Sequence, residues 1–271
     1  MNIQRNSFGR GLVIGSGWLA VAFLVLPMLV VFPVSITDKY YLSLPQDGIS
    51  FEHYANFFAS SQWLSAAWQS FVIGIGAASL AMLLGTLCAI GCWRISSKLS
   101  DIIRALMLLP IIVPAIVHAL SFYRLWIDLR LLDSYFGVIL AHTLMGIPYV
   151  IITVSASLSN FDPKLEQAAR NLGASLGQTV RHIIVPIVMP GMLSGGAIAF
   201  AISFDDIVVV LFVTSRAIYT LPKRIWNGIQ DHLDPTIAVV AALLITVTFF
   251  IVLAKHLIEK YREKRLLITV K

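Results

Sequence analysis

Residues Asp162 to Pro186 read "DPKLEQAARNLGASLGQTVRHIIVP", a polar, glycine-punctuated segment set between two long apolar runs. Asp162 suits a helix N-cap and Pro163 the first helical position, where a missing N–H costs nothing. Glu166 and Arg170 stand at i, i+4, the spacing of a favourable ion pair on one helix face. Gly173 supplies the stop. Ser175-x-x-Gln178 has the form of a capping box and opens a second helix running towards Pro186. The segment thus predicts two short helices joined by a sharp turn, with Ala168, Ala169 and charge on the outer face.

The flanking runs set the class. Of 271 residues, 58% are hydrophobic and 13% charged, about half the charge of a soluble domain. A helix crossing a bilayer needs about 20 apolar residues, because the hydrocarbon core is about 30 Å thick. Six stretches free of Asp, Glu, Lys and Arg can each hold one: Gly11–Thr37, His53–Trp93, Ala105–Tyr123, Ser134–Phe161, His182–Phe204 and Pro235–Ala254. The expected fold is an all-α membrane protein of six transmembrane helices, at about 12–36, 67–93, 103–126, 135–158, 184–213 and 235–256. A cytoplasmic segment at 160–182 precedes the fifth span, and residues 1–271 form one membrane domain. Soluble core helices rarely stay uncharged for so long, and the first run is too long for a signal peptide.

Lysine and arginine placement orients the chain. With the N-terminus inside, Arg5, Arg10, Arg94, Lys98, Arg104, Lys164, Arg170, Arg181 and six residues beyond Ala254 face the cytoplasm, 14 in all. Six face the other side: Lys39, Arg124, Arg130, Arg216, Lys223 and Arg224. Positive-inside bias therefore puts both termini in the cytoplasm. Most of the net charge of +6 lies in the tail "KHLIEKYREKRLLITVK", which reads as a topology anchor against membrane lipid rather than a nucleic-acid site. Cys88 and Cys92 read as buried free thiols and not as a metal site.

Prolines interrupt several spans. Pro110 and Pro114 bend the third, Pro148 the fourth, and Pro186, Pro190, Gly191, Gly195 and Gly196 crowd the start of the fifth. Gly191-x-x-x-Gly195 permits close helix approach. Asp205 and Asp206 interrupt a strongly apolar helix, at a cost of about 2.5–3.5 kcal/mol for a buried aspartate on insertion scales. One reading sets a carboxylate on a translocation path, with Ser203, His118 and Tyr123 as further path candidates. The other has the aspartates capping backbone amides or pairing with an arginine of a neighbouring subunit. His118 and His142 also fit hydrogen bonds between helices, and Tyr123, Trp126 and Trp226 fit a belt at the membrane surface.

Three readings of the polar segment compete: a plain loop, a DNA-binding helix-turn-helix, and a docking helix for another protein. A helix-turn-helix would want a third supporting helix and stronger positive charge. The segment resembles the EAA signature of ABC-importer permeases: EAA, three residues, Gly, nine residues, then I-x-L-P. The matching positions are Gln167-Ala168-Ala169, Gly173, Ile183 and Val185-Pro186, with Gln167 in place of Glu and Val185 in place of Leu. Together with "AISFDDIVVVLFVTSRAIYTLPKRIW" and "LDPTIAVVAALLI", the run "LSNFDPKLEQAARNLGAS" is similar to the spermidine/putrescine-type permeases, and the likeness covers nearly the whole chain.

That resemblance implies that Glu166, Gln167, Ala168, Ala169, Arg170 and Gly173 couple the chain to an ATPase subunit. It further implies two ATP-binding subunits holding ATP and Mg, a second permease, a periplasmic solute-binding protein and the bacterial inner membrane. The chain has no G-x-x-x-x-G-K-[ST] loop and is expected to be no enzyme and to bind no cofactor itself. The implied cargo is a small amine-bearing solute, a polyamine first, with an opine, γ-aminobutyrate or an aminophosphonate as alternatives. The acid that polyamine members usually carry after the second proline of the third span is Ala115 here, and a common Gly-Pro pair is Ser215-Arg216. An ion-coupled secondary transporter is the alternative of a different class, and a structural membrane scaffold a third.

Overall fold

The computed structural model describes residues 7–231 and 234–269. Arg5 and Lys271, which enter the charge count above, lie outside the described residues. The described chain is all-α: α1 (Ser7–Leu29), α2 (Val31–Ser35), α3 (Glu52–Ala59), α4 (Ser61–Ile95), α5 (Lys98–Ile112), α6 (Ala115–Leu129), α7 (Tyr135–Ser159), α8 (Pro163–Asn171), α9 (Leu176–Thr179), α10 (Val185–Asp205), α11 (Val208–Val213), α12 (Leu221–Asp231) and α13 (Thr236–Thr269). Among the described residues, five stretches are long and apolar enough to cross a membrane: Val13–Ser35, Ser61–Ile95, Tyr135–Ser159, Leu176–Asp205 and Thr236–Ile258. The bent pair α5 and α6 makes a sixth if taken as one span.

Internal contacts divide the chain into two compact units, Met1–Ser61 with Asn227–Lys271, and Gln62–Trp226. In the first unit α13 packs on α2 and α3. Its α1 leaves Trp18, Leu19 and Phe23 bare to the surroundings, as a helix immersed in lipid or against another chain would.

The second unit is built around α4, α7 and α10. Ala78, Ala81, Ala89 and Ile90 of α4 meet Ile147, Val150, Ile151, Val154 and Leu158 of α7 and Val188 and Ala199 of α10. Small residues set the spacing. A Cβ at Gly195 would stand 2.7 Å from the Val150 Cα, and one at Gly191 2.7 Å from the Thr153 carbonyl oxygen. A second cluster joins Ala119, Phe122 and Trp126 of α6 to Val138 and Ala141 of α7 and to Val209, Val210 and Val213 of α11.

Three departures from the expected spans have local causes. The third, expected as one helix over 103–126, is two helices meeting at 105°. Pro114 takes the N-cap position of α6 and Val113 before it is extended, as the proline ring demands of its predecessor. Pro110 stays inside α5. The fifth, expected to run unbroken over 184–213, stops at Asp205: Asp206 turns extended with ψ 123° before α11 begins. Third, a π-helical turn, Val180–Ile184, precedes α10, and the Val185 N–H reaches back to the Val180 carbonyl. Pro186 cannot donate to the His182 carbonyl, and its ring crowds that oxygen, which favours the wider turn. The helix expected over 67–93 begins earlier, at Ser61, and spans 35 residues without a proline.

Candidate functional site

The segment 162–179 is assembled from local hydrogen bonds. Asp162 Oδ1 accepts the Lys164 N–H at 2.9 Å and opens α8. At the far end Gly173 takes φ +87°. Its N–H donates to the Arg170 carbonyl at 2.9 Å, and the Ala174 N–H donates to the Ala169 carbonyl at 3.1 Å. Those two bonds make a Schellman stop, which only glycine enters without strain. Ser175 and Gln178 exchange backbone-to-side-chain bonds of 2.7 and 3.3 Å and start α9. A concavity of about 390 Å³ opens beside the turn, lined among others by Leu172, Gln178 and His182.

Two details of the segment differ from the sequence reading. Glu166 is paired with Arg94 at the end of α4, 2.7 Å away, and not with Arg170. A carboxylate turned towards the body of the protein meets a cation already held there, whereas Arg170 is exposed. Ala169 also faces inward, 8% exposed, so the outer face is formed by Gln167, Ala168, Arg170 and Leu172. Leu172 is 89% exposed.

The break between α10 and α11 gathers the other candidates. Asp206 Oδ2 accepts the N–H groups of Val209 at 3.1 Å and Val210 at 3.3 Å, capping α11. The same oxygen stands 3.3 Å from His142 Nε2, while His142 Nδ1 and Ser203 Oγ share a hydrogen bond of 2.6 Å. His142 and Ser203 are buried. Ser203, His142 and Asp206 therefore form one neighbourhood. His118 stacks on Phe122, 6.1 Å between centroids. Asp205 is exposed, and Tyr123 is 43% exposed. Trp126, read from sequence as a belt residue, is instead core: it is 3% exposed and its Nε1–H donates to the Gly137 carbonyl at 2.9 Å. Trp226 is 43% exposed.

A third arrangement carries no signal in the sequence. Asp133, in the turn between α6 and α7 with φ +52°, accepts four backbone N–H bonds from Ser215, Arg216, Ala217 and Ile218 at 2.9–3.1 Å. Burial alone would push this carboxyl up, but the four donors outweigh it and hold the pKa down at about 2. A proline at position 216 would remove one donor, so Ser215-Arg216 completes the cradle where a Gly-Pro pair would not. Lys223 Nζ donates to the Thr214 carbonyl and Oγ1 and to the Ser215 carbonyl at 2.9–3.2 Å. Burial lowers its pKa and the charge of Asp133 works against that shift. An aspartate and a lysine brought to one loop from such distant positions in the chain cannot be paired by reading the sequence.

Residues 81–263 match the family model described as "Binding-protein-dependent transport system inner membrane component". The chain is 30% identical over 244 residues to the spermidine/putrescine transport system permease protein PotC of Haemophilus influenzae, covering 90% of this chain and 94% of that one. It is 28% identical over 243 residues to the trehalose transport system permease protein SugB of Mycobacterium tuberculosis, covering 86% and 88%. Among solved structures, a chain from a bacterial ABC transporter involved in the import of the acidic polysaccharide alginate superposes with a TM-score of 0.71 at 14% identity, covering 96% and 99%. That likeness speaks for the fold.

Proposed function

This chain belongs to the family of binding-protein-dependent transport system inner membrane components, and on that premise we propose that it forms half of the path by which an ATP-driven importer moves a small amine-bearing solute. Family membership makes it a multi-pass membrane permease of the ABC-importer type rather than an enzyme, and removes the secondary-transporter and scaffold alternatives. A polyamine is the first choice of cargo.

The observation that carries the solute reading is Asp205. It is exposed at the end of α10 in a strongly apolar stretch, and among the described residues it has no ion-pair partner. A carboxylate at membrane depth faces a cavity or a partner, and one left open beside a helix break offers a weak site to an ammonium group. Relatives named for a polyamine and for a neutral sugar are similarly distant, so the carboxylate is what favours an amine.

The partners follow from α8 and its stop. Gln167, Ala168, Arg170 and Leu172 form a mixed polar face with one small residue and one prominent apolar side chain, suited to a groove on a cytoplasmic ATP-binding subunit. Two such subunits would hold ATP and Mg, beside a second permease and a periplasmic solute-binding protein, with both termini of this chain in the cytoplasm. The test is uptake into proteoliposomes holding the full assembly, energised with ATP. Spermidine or putrescine should enter and compete with each other, and trehalose should not. Uptake of trehalose with no uptake of an amine would overturn the solute reading.

A further inference from the structure

Within the unit Gln62–Trp226, α4 differs from every other long helix. The paired α5 and α6 are bent at Pro114, α7 contains Pro148, and α10 contains Pro190 and ends at the Asp206 break. The 35 residues of α4 contain no proline and no break. At 1.5 Å per residue its length is about 52 Å, more than the roughly 40–45 Å of a whole bilayer with its headgroups. Both ends therefore stand clear of the apolar phase, and both are tied.

At one end Arg94 meets Glu166 of α8, with side chains only 23% and 13% exposed. At the other, Gln69 Oε1 accepts the Tyr219 N–H and Ser70 Oγ the Leu221 N–H, each at 2.8 Å. The Arg224 guanidinium lies over the Trp63 ring, 5.3 Å from its centroid, and donates to Gln62. Segment 219–224 is in turn anchored to the end of α11 by Lys223. The chain of contacts runs from the docking segment, through an unbroken helix, to the loop that follows the α10–α11 break.

We propose that α4 is the strut that carries displacement of the docking segment across the membrane. Its input is the Arg94–Glu166 pair, and its output is the set of contacts that Trp63, Gln69 and Ser70 make with segment 219–224. The proposal rests on the reading of α8 as the docking site for the ATPase. A bent or broken helix absorbs an axial or rotational displacement at its break; a continuous one passes it on. A partly buried ion pair suits the input, because it holds two elements in register where apolar contact alone would let them slide.

The test uses the full assembly in proteoliposomes. Arg94→Glu and Glu166→Arg should each lower uptake per ATP hydrolysed about tenfold, and the double reversal should restore it to within about threefold. Transmission, as opposed to folding, is read by a thiol placed at Leu64, exposed on the first turns of α4, with Cys88 and Cys92 replaced. Its reaction with an impermeant reagent should change with ATP in the parent and lose that change in Glu166→Gln. Should the reversals fail to assemble, the thiol reading on Glu166→Gln decides alone. An unaltered ATP response at position 64, or normally assembled reversals that couple as the parent does, overturns the strut. A parent assembly in which ATP drives no uptake would count against the docking reading instead.

Discussion

The turn at 162–179 and the break at 205–208 both interrupt apolar helix, and they do so by opposite means. At the turn, the orphan backbone groups are met by neighbours in sequence: Asp162 caps Lys164, Gly173 donates to Arg170, and Ser175 caps Gln178. At the break, Asp206 caps the next helix and also stands against His142, which belongs to the distant α7 and is itself bonded to Ser203. The first interruption keeps its shape wherever it is carried, which suits an element exposed to a partner. The second exists only while α7 and α10 stay packed, so the break and the helix seam share one stability.

The sharpest way to break this contrast is at Asp206. Asp206→Ala removes the cap of α11 and leaves His142 facing an apolar void, a loss of about 2–4 kcal/mol when cap and buried partner go together. The amount of folded protein recovered in detergent should fall severalfold and the thermal midpoint with it, while Asp206→Asn, which keeps a capping oxygen, should fall between. A normal yield of Asp206→Ala would show that the break is held by something other than its carboxylate.

Asp133 sharpens the contrast from another part of the fold, since it too holds backbone groups distant in sequence, those of 215–218. Asp133→Ala strands four N–H groups and should cost about 1–3 kcal/mol. The pH sign follows from the lowered pKa, about 2 against an ordinary 3.8. The stability it contributes is fully present above pH 3.8 and is lost as pH falls from there towards 2, on the order of 1 kcal/mol after solvent screening. Acid titration of the thermal midpoint should show this loss in the parent and not in Asp133→Asn. A parallel pH dependence in both would break the link between the cradle and the charge.

At the turn the expected effects are smaller and local. Gly173→Ala forces a Cβ into a left-handed backbone at about 1–2 kcal/mol, and Gly173→Asn should cost less because its side chain tolerates that region. Hydrogen exchange should quicken over 168–176 and remain unchanged along α7 and α10. Loss of protection in the long helices would mean the turn is not a self-contained unit.

What could be read from the sequence divides along the same line. Asp162, Gly173 and the Ser175–Gln178 box are legible because each acts on a residue within five positions, and the long apolar runs announce helices for the same reason. Pro114 announces a bend, though not its 105°. The pairing of Glu166 with Arg94 rather than Arg170, the inward turn of Ala169, the burial of Trp126 and the cradle of Asp133 depend on which helices lie side by side, and no spacing rule holds that information. His142 and Asp206 stood out as polar groups in apolar helices, but their partnership required the α7–α10 seam, whose small residues say that two helices approach without saying which side chains meet.

Asp205 is the limiting case, with the smallest expected effect on stability and a specific one on transport. It lies one residue before a carboxylate that caps α11 and faces His142, yet it is exposed at the last turn of α10. Asp205 is exposed while Asp206 is turned onto the first turn of α11 and His142, so the two aspartates do not serve one site together. If Asp206 is the structural member, Asp205 is free for the solute. A tight site at that depth would trap a cation, whereas one carboxylate offsets part of its desolvation and lets it pass. Asp205→Asn should therefore leave the yield of assembled complex and its basal ATPase unchanged, and slow uptake of a polyamine about three- to tenfold, the effect of roughly 1 kcal/mol. The measurement is uptake and complex yield on the same preparations. A drop in yield that matches the drop in uptake would make Asp205 structural like its neighbour, and normal uptake at normal yield would remove it from the path.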